Sequence, residues 1–300
     1  MEQNATLTKD KKGAINVSTF SQKIHSYLKH PFSLLVWIIT ILAALLTVAS
    51  FVYLVLYILI KGVPYLRPEL FSWTYDSNNV SMLPSIINTF LLTALSLVIS
   101  VPLGIFAAIY MVEYAKKGNR MVKFIRVTAE TLSGIPSIVY GLFGMIFFVG
   151  VLKMQLSLLS GSLTVAIMVL PTIMRTTEEA LLSVPQSYRE GSFGLGAGKL
   201  RIVLPSAVPG ILSGVILATG RIVGETAALI YTAGTMAKVP NNLFASARTL
   251  SVHMYLLSNE GLHTNEAFAT AVVLLVFVML INMLANFVAR RLSAKNAEND

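Results

Sequence analysis

The sequence predicts an all-α integral membrane protein with six transmembrane helices and both termini on the cytoplasmic side. Three observations lead there. Of 300 residues, 55% are hydrophobic and only 12% are charged, and mean hydropathy is +0.72; a soluble domain carries about a quarter charged residues. Six segments are apolar enough to cross a hydrocarbon core, which takes about 20 residues. Lys and Arg are divided unequally between the loops that these segments define.

The segments follow in order. Residues 1–31 are a basic arm, and the first span occupies 32–61. Its apolar run far exceeds a signal-peptide core of about 7–15 residues and has a long arm before it, so it is expected to stay as an anchor. Residues 62–84 form an extracytoplasmic loop. The second span, about 85–112, is rich in Thr, Ser and Gly. The third, about 131–151, carries Gly134, Ser137, Gly141 and Gly144 at helix-packing spacing, and Pro136 is expected to kink it. The fourth, about 162–174, is shorter and contains Pro171. The fifth is about 207–231 and the sixth about 264–289. Residues 85–292 are thus expected to make one bundle of five helices, with span one appended and 293–300 as a cytoplasmic tail.

Even parity puts both termini on one side. That side holds 17 of the 23 Lys and Arg, the other holds five, and Arg221 lies inside span five. The excess marks the first side as cytoplasmic. It also accounts for the net charge of +9 without a nucleic-acid partner; membrane lipid is the expected surroundings. The absence of cysteine excludes disulfides, thiolate metal sites and a cysteine nucleophile. No catalytic constellation is visible. His25, His30, His253 and His263 are scattered over the arm and outer loops and are expected at the surface. Glu178 and Glu179 are adjacent, diverge by 100° on a helix, and are expected to face the inner membrane surface.

Span five reads AVPGILSGVILATGRIVGETAALIY. A charge inside the membrane costs from about 3 to over 10 kcal/mol, so such residues are usually functional. Arg221 and Glu225 are four residues apart, share a helix face if the helix continues, and can pair. Gly210, Gly214 and Ala218 fall on nearly the same face, which then has little bulk until the arginine. One reading is a structural ion pair between helices. The other is a way-station for an oxyanion, because the guanidinium fork donates parallel hydrogen bonds and keeps its charge. The two are compatible.

Residues 190–205, EGSFGLGAGKLRIVLP, look at first like a phosphate-binding loop. The spacing excludes it: the motif needs G-x-x-x-x-G-K-[ST], but Phe193 stands five before Gly198 and Leu200 follows Lys199. What the stretch resembles is the cytoplasmic coupling loop of ABC importer permeases, whose pattern is Glu-Ala-Ala, three residues, Gly, nine residues, then Ile-x-Leu-Pro. Glu190, Gly191 and Ser192 stand for Glu-Ala-Ala, Gly196 is the glycine, and Leu204-Pro205 close the motif within a loop of about 184–205. Between Gly196 and Ile202 there are five residues instead of nine. Four residues are about one helical turn, or 6 Å, so a coupling helix one turn shorter is expected.

PLGIFAAIYMVEYA, TLSGIPSIVYGLFG and LPSAVPGILSGVILATGRIVGETAAL are similar to the phosphate branch of that family, in which Thr-Ala follows the glutamate, as Thr226-Ala227 do here. The resemblance implies a type I ABC importer permease bundle. It implies a substrate pathway past Arg221, Glu225 and Thr226, and helix packing through Gly134, Pro136, Gly141, Gly210 and Gly214. It also implies partners: a second permease subunit in a heterodimer, an ATPase subunit dimer that uses the ATP, and an extracytoplasmic phosphate-binding protein delivering phosphate. No cofactor is expected on this chain. Permeases for molybdate, sulfate or phosphonate, and a self-contained channel or secondary transporter, are the alternatives; the last finds no obvious inverted repeat.

Overall fold

The computed structural model describes residues 31–116, 118–198 and 200–297, so the basic arm with His25 and His30, Lys199 and the last three residues lie outside it. The described residues are helical, without strands. Among the described residues ten α-helices run in order: α1 Pro31–Gly62, α2 Leu83–Ile109, α3 Arg120–Ser133, α4 Ser137–Gly144, α5 Leu158–Leu182, α6 Gln186–Gly194, α7 Leu200–Gly224, α8 Ala227–Thr232, α9 Leu250–Glu260 and α10 Thr264–Ala297. Two π-helical stretches, Tyr110–Tyr114 and Met145–Val151, prolong α2 and α4. Residues up to Tyr57, within α1, form one compact unit and Ile58 onward a second.

In the first unit α1 is apolar all round, as a lipid-facing span requires; Leu42, Leu46 and Phe51 are among its exposed side chains. The second unit is built on the α2–α5 pair. Along α2 a stripe of buried positions is small or hydroxylic: Ser85, Thr89, Thr93, Ser96, Ser100, Gly104 and Ala108. They recur every three to four residues and let α5 come close. A methyl group on Gly104 would lie 2.8 Å from Ile173 Cγ2. Leu92, Val165, Met168, Val169, Ile173, Ile222 and Leu229 fill the centre of the unit.

Five helices are long and apolar enough to cross a membrane, and a sixth crossing exists if the pair Arg120–Ser133 and Ser137–Val151, bent by 103°, counts as one. This corrects the third span. Thr131–Ser133 belong to α3, whose first turns carry Arg120, Lys123 and Arg126 and which is strongly amphipathic, the pattern of an interfacial helix. Pro136 does not kink a continuous helix but stands at the N-cap of α4. Gly134 caps the end of α3, and a methyl there would meet only the Thr131 carbonyl, so it packs against no other helix of this chain; Pro136 is likewise exposed, which departs from the expected packing roles.

The fourth span is also longer than the sequence pattern gives. α5 runs from Leu158, capped by the Ser157 hydroxyl on the Ser160 amide at 3.2 Å, to Leu182. It is the most deeply buried of the spans. Its hydroxyls face protein instead of lipid, which is why its apolar run reads short.

At the end of the bundle that carries α6, Ala108, Met111, Val122, Leu181, Val203 and Ala207 form a second core. At the opposite end Leu70, Met82, Leu250 and Leu257 form a third. There the Asn88 amide donates to the carbonyls of Lys238 (2.9 Å) and Arg248 (3.1 Å), and the Leu250 amide donates to Thr89 Oγ1 at 2.8 Å. These bonds tie the segment between α8 and α9 down onto α2.

Candidate functional site

The fifth span breaks where its charges lie. α7 ends at Gly224 and α8 begins at Ala227. Glu225 is therefore not on the Arg221 helix. Its Oε1 accepts from the Ala228 amide at 3.0 Å and satisfies one of the donors that a helix start leaves open. Its carbonyl accepts from the Ser251 hydroxyl at 2.6 Å, which binds the break to the start of α9. Glu225 is buried. The Arg221–Glu225 ion pair expected from the four-residue spacing is not formed: no ion pair among the described residues includes Arg221.

Arg221 is half-buried. Its positive charge is felt at the Tyr140 hydroxyl, which itself donates to the Leu132 carbonyl at 2.7 Å. Tyr140 thus ties the start of α4 to the end of α3. One residue on, Gly141 backs directly onto α8: a methyl group there would lie 2.7 Å from the Ala228 Cα. The glycines of α7 work the same way against α5. A methyl on Gly210 would meet the Ala180 methyl at 2.6 Å, and one on Gly214 would collide with Thr176.

One turn from Arg221 towards α6, Leu217 borders a cavity of about 410 Å³ between α3, α5 and α7. Arg126, Glu130, Arg175, Glu178 and Glu179 line it. Arg126 pairs with Glu178 at 2.5 Å and Arg175 with Glu179 at 3.1 Å. Glu178 and Glu179 therefore face a cavity and cations, not simply a membrane surface. Thr226 faces elsewhere. It lines a mostly apolar cavity of about 400 Å³ with Met254, Tyr255 and Phe268. So the structure separates the three expected pathway residues: Arg221 lies in the last turn of α7, Glu225 caps α8, and Thr226 borders the α9–α10 side.

The predicted coupling segment folds as α6, with Glu190 and Gly191 exposed and Ser192 buried. Gly196 has φ +71°, and its amide bonds the Phe193 carbonyl while the Ala197 amide bonds the Ser192 carbonyl. This is a Schellman ending, which favours glycine at that position. Leu204 and Pro205 lie inside α7 and not in a loop. The four residues missing from the motif therefore fall after Gly196, at the linker and first turn of α7. α6, Gln186–Gly194, ends before that point.

Two features escaped sequence reasoning. Arg189 is held by Glu113, 76 residues earlier, and no local pattern announces this. His253 is not at the surface but fully buried in α9, with Arg248 Nη1 3.2 Å from its Nδ1 and the Tyr75 ring packed edge-on at 6.0 Å. Burial first, and then the Arg248 charge, push its pKa down to about 3. His263 is half-buried, 3.8 Å from Glu266. Among the described residues no group of three or more His, Cys, Asp or Glu is placed to hold a metal.

Comparison with known proteins adds the following. The family described as "Binding-protein-dependent transport system inner membrane component" matches residues 100–297. A probable ABC transporter permease protein, YqgI of Bacillus subtilis (strain 168), is 33% identical over 86% of this chain and 95% of its own. The phosphate transport system permease protein PstA of Haemophilus influenzae is 31% identical over 74% of this chain and 81% of its own. Among solved structures, a chain of a bacterial alginate ABC transporter, in complex with its alginate pentasaccharide-bound periplasmic protein, superposes with TM-score 0.65 at 16% identity, covering 89% of this chain and 98% of that one.

Proposed function

Because the chain belongs to the family of binding-protein-dependent transport system inner membrane components and is an ABC importer permease subunit, not an enzyme, we propose that its substrate is inorganic phosphate. Membership in that family also removes the self-contained channel from consideration. The observation that carries the phosphate reading is Arg221. It is a permanent cation in an apolar helix, without an ion-pair partner among the described residues, next to a helix break. Leaving a guanidinium uncompensated in a membrane costs several kcal/mol. A transient anion removes that cost, and the planar fork suits a tetrahedral oxyanion. Similarity to phosphate permeases supports phosphate over other oxyanions.

In this reading both termini are cytoplasmic, and the chain pairs with a second permease subunit. An extracytoplasmic phosphate-binding protein delivers phosphate at the α9 end. Two ATPase subunits seat α6, whose exposed Tyr188, Phe193 and Leu195 give it an apolar face for that contact. Closure of the ATPases on ATP moves α6, the bundle alternates its access, and phosphate passes Arg221 towards the cavity below Leu217. Glu225 shapes the path by holding the break; it does not neutralise the arginine.

The test is uptake by the complete importer in vesicles, with sulfate and molybdate as competitors. Arg221→Gln is expected to abolish phosphate uptake while the complex still assembles. Normal uptake by that variant removes Arg221 from the path, and stronger competition by molybdate or sulfate than by unlabelled phosphate overturns the substrate.

A further inference from the structure

Arg189 stands one residue before Glu190 and makes four hydrogen bonds to two parts of the fold. Its Nη1 donates to the Val184 carbonyl and its Nη2 to the Leu181 carbonyl, both at 2.8 Å. Its Nε and Nη2 both reach Glu113 Oε1, at 3.3 and 3.0 Å. Leu181 is in the last turn of α5 and Val184 just beyond its cap, where a helix leaves acceptors open and its dipole favours a cation. Taken alone they would make a local cap. Glu113 changes this, because it comes from the π-helical stretch that ends α2. The side chains are only 16% and 7% exposed, so water competes weakly for the pair. α2 and α5 in turn form the most extensively packed helix pair of the second unit.

We propose that Arg189 is the joint through which movement of α6 is transmitted to the α2–α5 pair, a positioning residue for energy coupling. It rests on the reading of α6 as the helix that the ATPase seats. With the clamp in place, α6 cannot shift without pulling the end of α5 and the end of α2 together. Without it, the main packing that remains for α6 among the described residues is its contact with α7. Lysine cannot substitute, since a point charge with three donors does not match two carbonyls and a carboxylate held in a fork geometry.

The experiment uses the complete importer, reconstituted with its binding protein, and reads phosphate moved per ATP hydrolysed. Arg189→Ala and Arg189→Lys are expected to lower that ratio about tenfold, the scale of one coupling free energy, while assembly and basal ATP hydrolysis persist. Glu113→Gln, which keeps an acceptor oxygen, is expected to lower it less. In parallel, Ser187→Cys on the exposed face of α6 is cross-linked to the ATPase. If no cross-link forms, the assignment of α6 fails, whatever Arg189 does. If the cross-link forms and the Arg189 variants keep the wild-type ratio, the joint is refuted. Failure of all three variants to assemble also refutes it, because Arg189 then only supports the fold.

Discussion

Gly141→Ala tests the packing that holds the candidate site together. The added methyl would lie 2.7 Å from the Ala228 Cα and 3.2 Å from the carbonyl oxygens of Ala227 and Ala228. Carbon atoms in contact prefer about 3.5–4.0 Å, so α4 and α8 must separate by about 1 Å. These are backbone atoms, and no side-chain rotation relieves the clash. Overpacking of this kind costs about 1–3 kcal/mol, which in a chain this size lowers the melting temperature by roughly 2–10 °C. Where no clash exists, alanine in place of a helical glycine is instead stabilising by about 0.5–1 kcal/mol. The sign alone therefore decides. Gly224→Ala is the control, because no atom lies within 4 Å of its added methyl. Thermal unfolding of the purified protein in detergent measures both. If Gly141→Ala melts at or above the temperature of Gly224→Ala, the close approach of α4 and α8 does not exist.

Gly196→Ala places a side chain at φ +71° and is expected to cost about 1–2 kcal/mol, seen as faster proteolysis of the segment that follows α6, while Gly194→Ala, at a helical position in open space, is expected to be stabilising by up to about 0.5–1 kcal/mol. Glu225→Ala removes the acceptor for the Ala228 amide and is expected to lower stability by about 0.5–2 kcal/mol; Glu225→Gln keeps an acceptor and loses less, and equal losses would show that capping is not what the residue supplies. His253 has a folded pKa of about 3, below its ordinary 6.5, so the unfolded chain binds its proton first on acidification. Its contribution is complete above about pH 6.5 and is lost towards pH 3, at up to about 1.4 kcal/mol per pH unit. His253→Gln is expected to flatten the pH dependence of melting in that window.

The spans were legible because crossing a membrane imposes a length, and length survives without neighbours. The breaks were harder. Residues 131–151 form one apolar run, yet the chain turns by 103° after Ser133, where the amphipathic α3 gives way to the apolar α4. The break in the fifth span did leave a mark. Gly224 is a helix-ending residue and Glu225-Thr226 resemble a helix start, but the four-residue spacing of the two charges argued for one continuous face. α5 read as short because apolarity marks exposure to lipid, and α5 is covered by protein. The Arg189–Glu113 clamp, 76 residues apart, had no local signal at all. The buried position of His253 likewise depends on Tyr75 and Arg248, which only the fold brings together.

The places where the chain is stiff and where it can give are arranged in one line. At the inner end of the proposed path, Arg189 binds α6 to the ends of α5 and α2. Farther along, Ala180 and Thr176 of α5 stand against Gly210 and Gly214 of α7, with no glycine side chain between the helices. Close-packed backbones deform little, so α5 and α7 should move as one body up to Arg221. Three residues later the helical ladder stops at Gly224, and the remaining connection runs through Glu225, bonded forward to Ala228 and across to Ser251. On the proposed coupling, a displacement begun at α6 meets its first compliant point beside Arg221, which has no ion-pair partner among the described residues. That placement gives a physical reason for the break: it is where motion of the inner half can change the surroundings of Arg221 while the α9 end stays seated on Asn88 and Thr89.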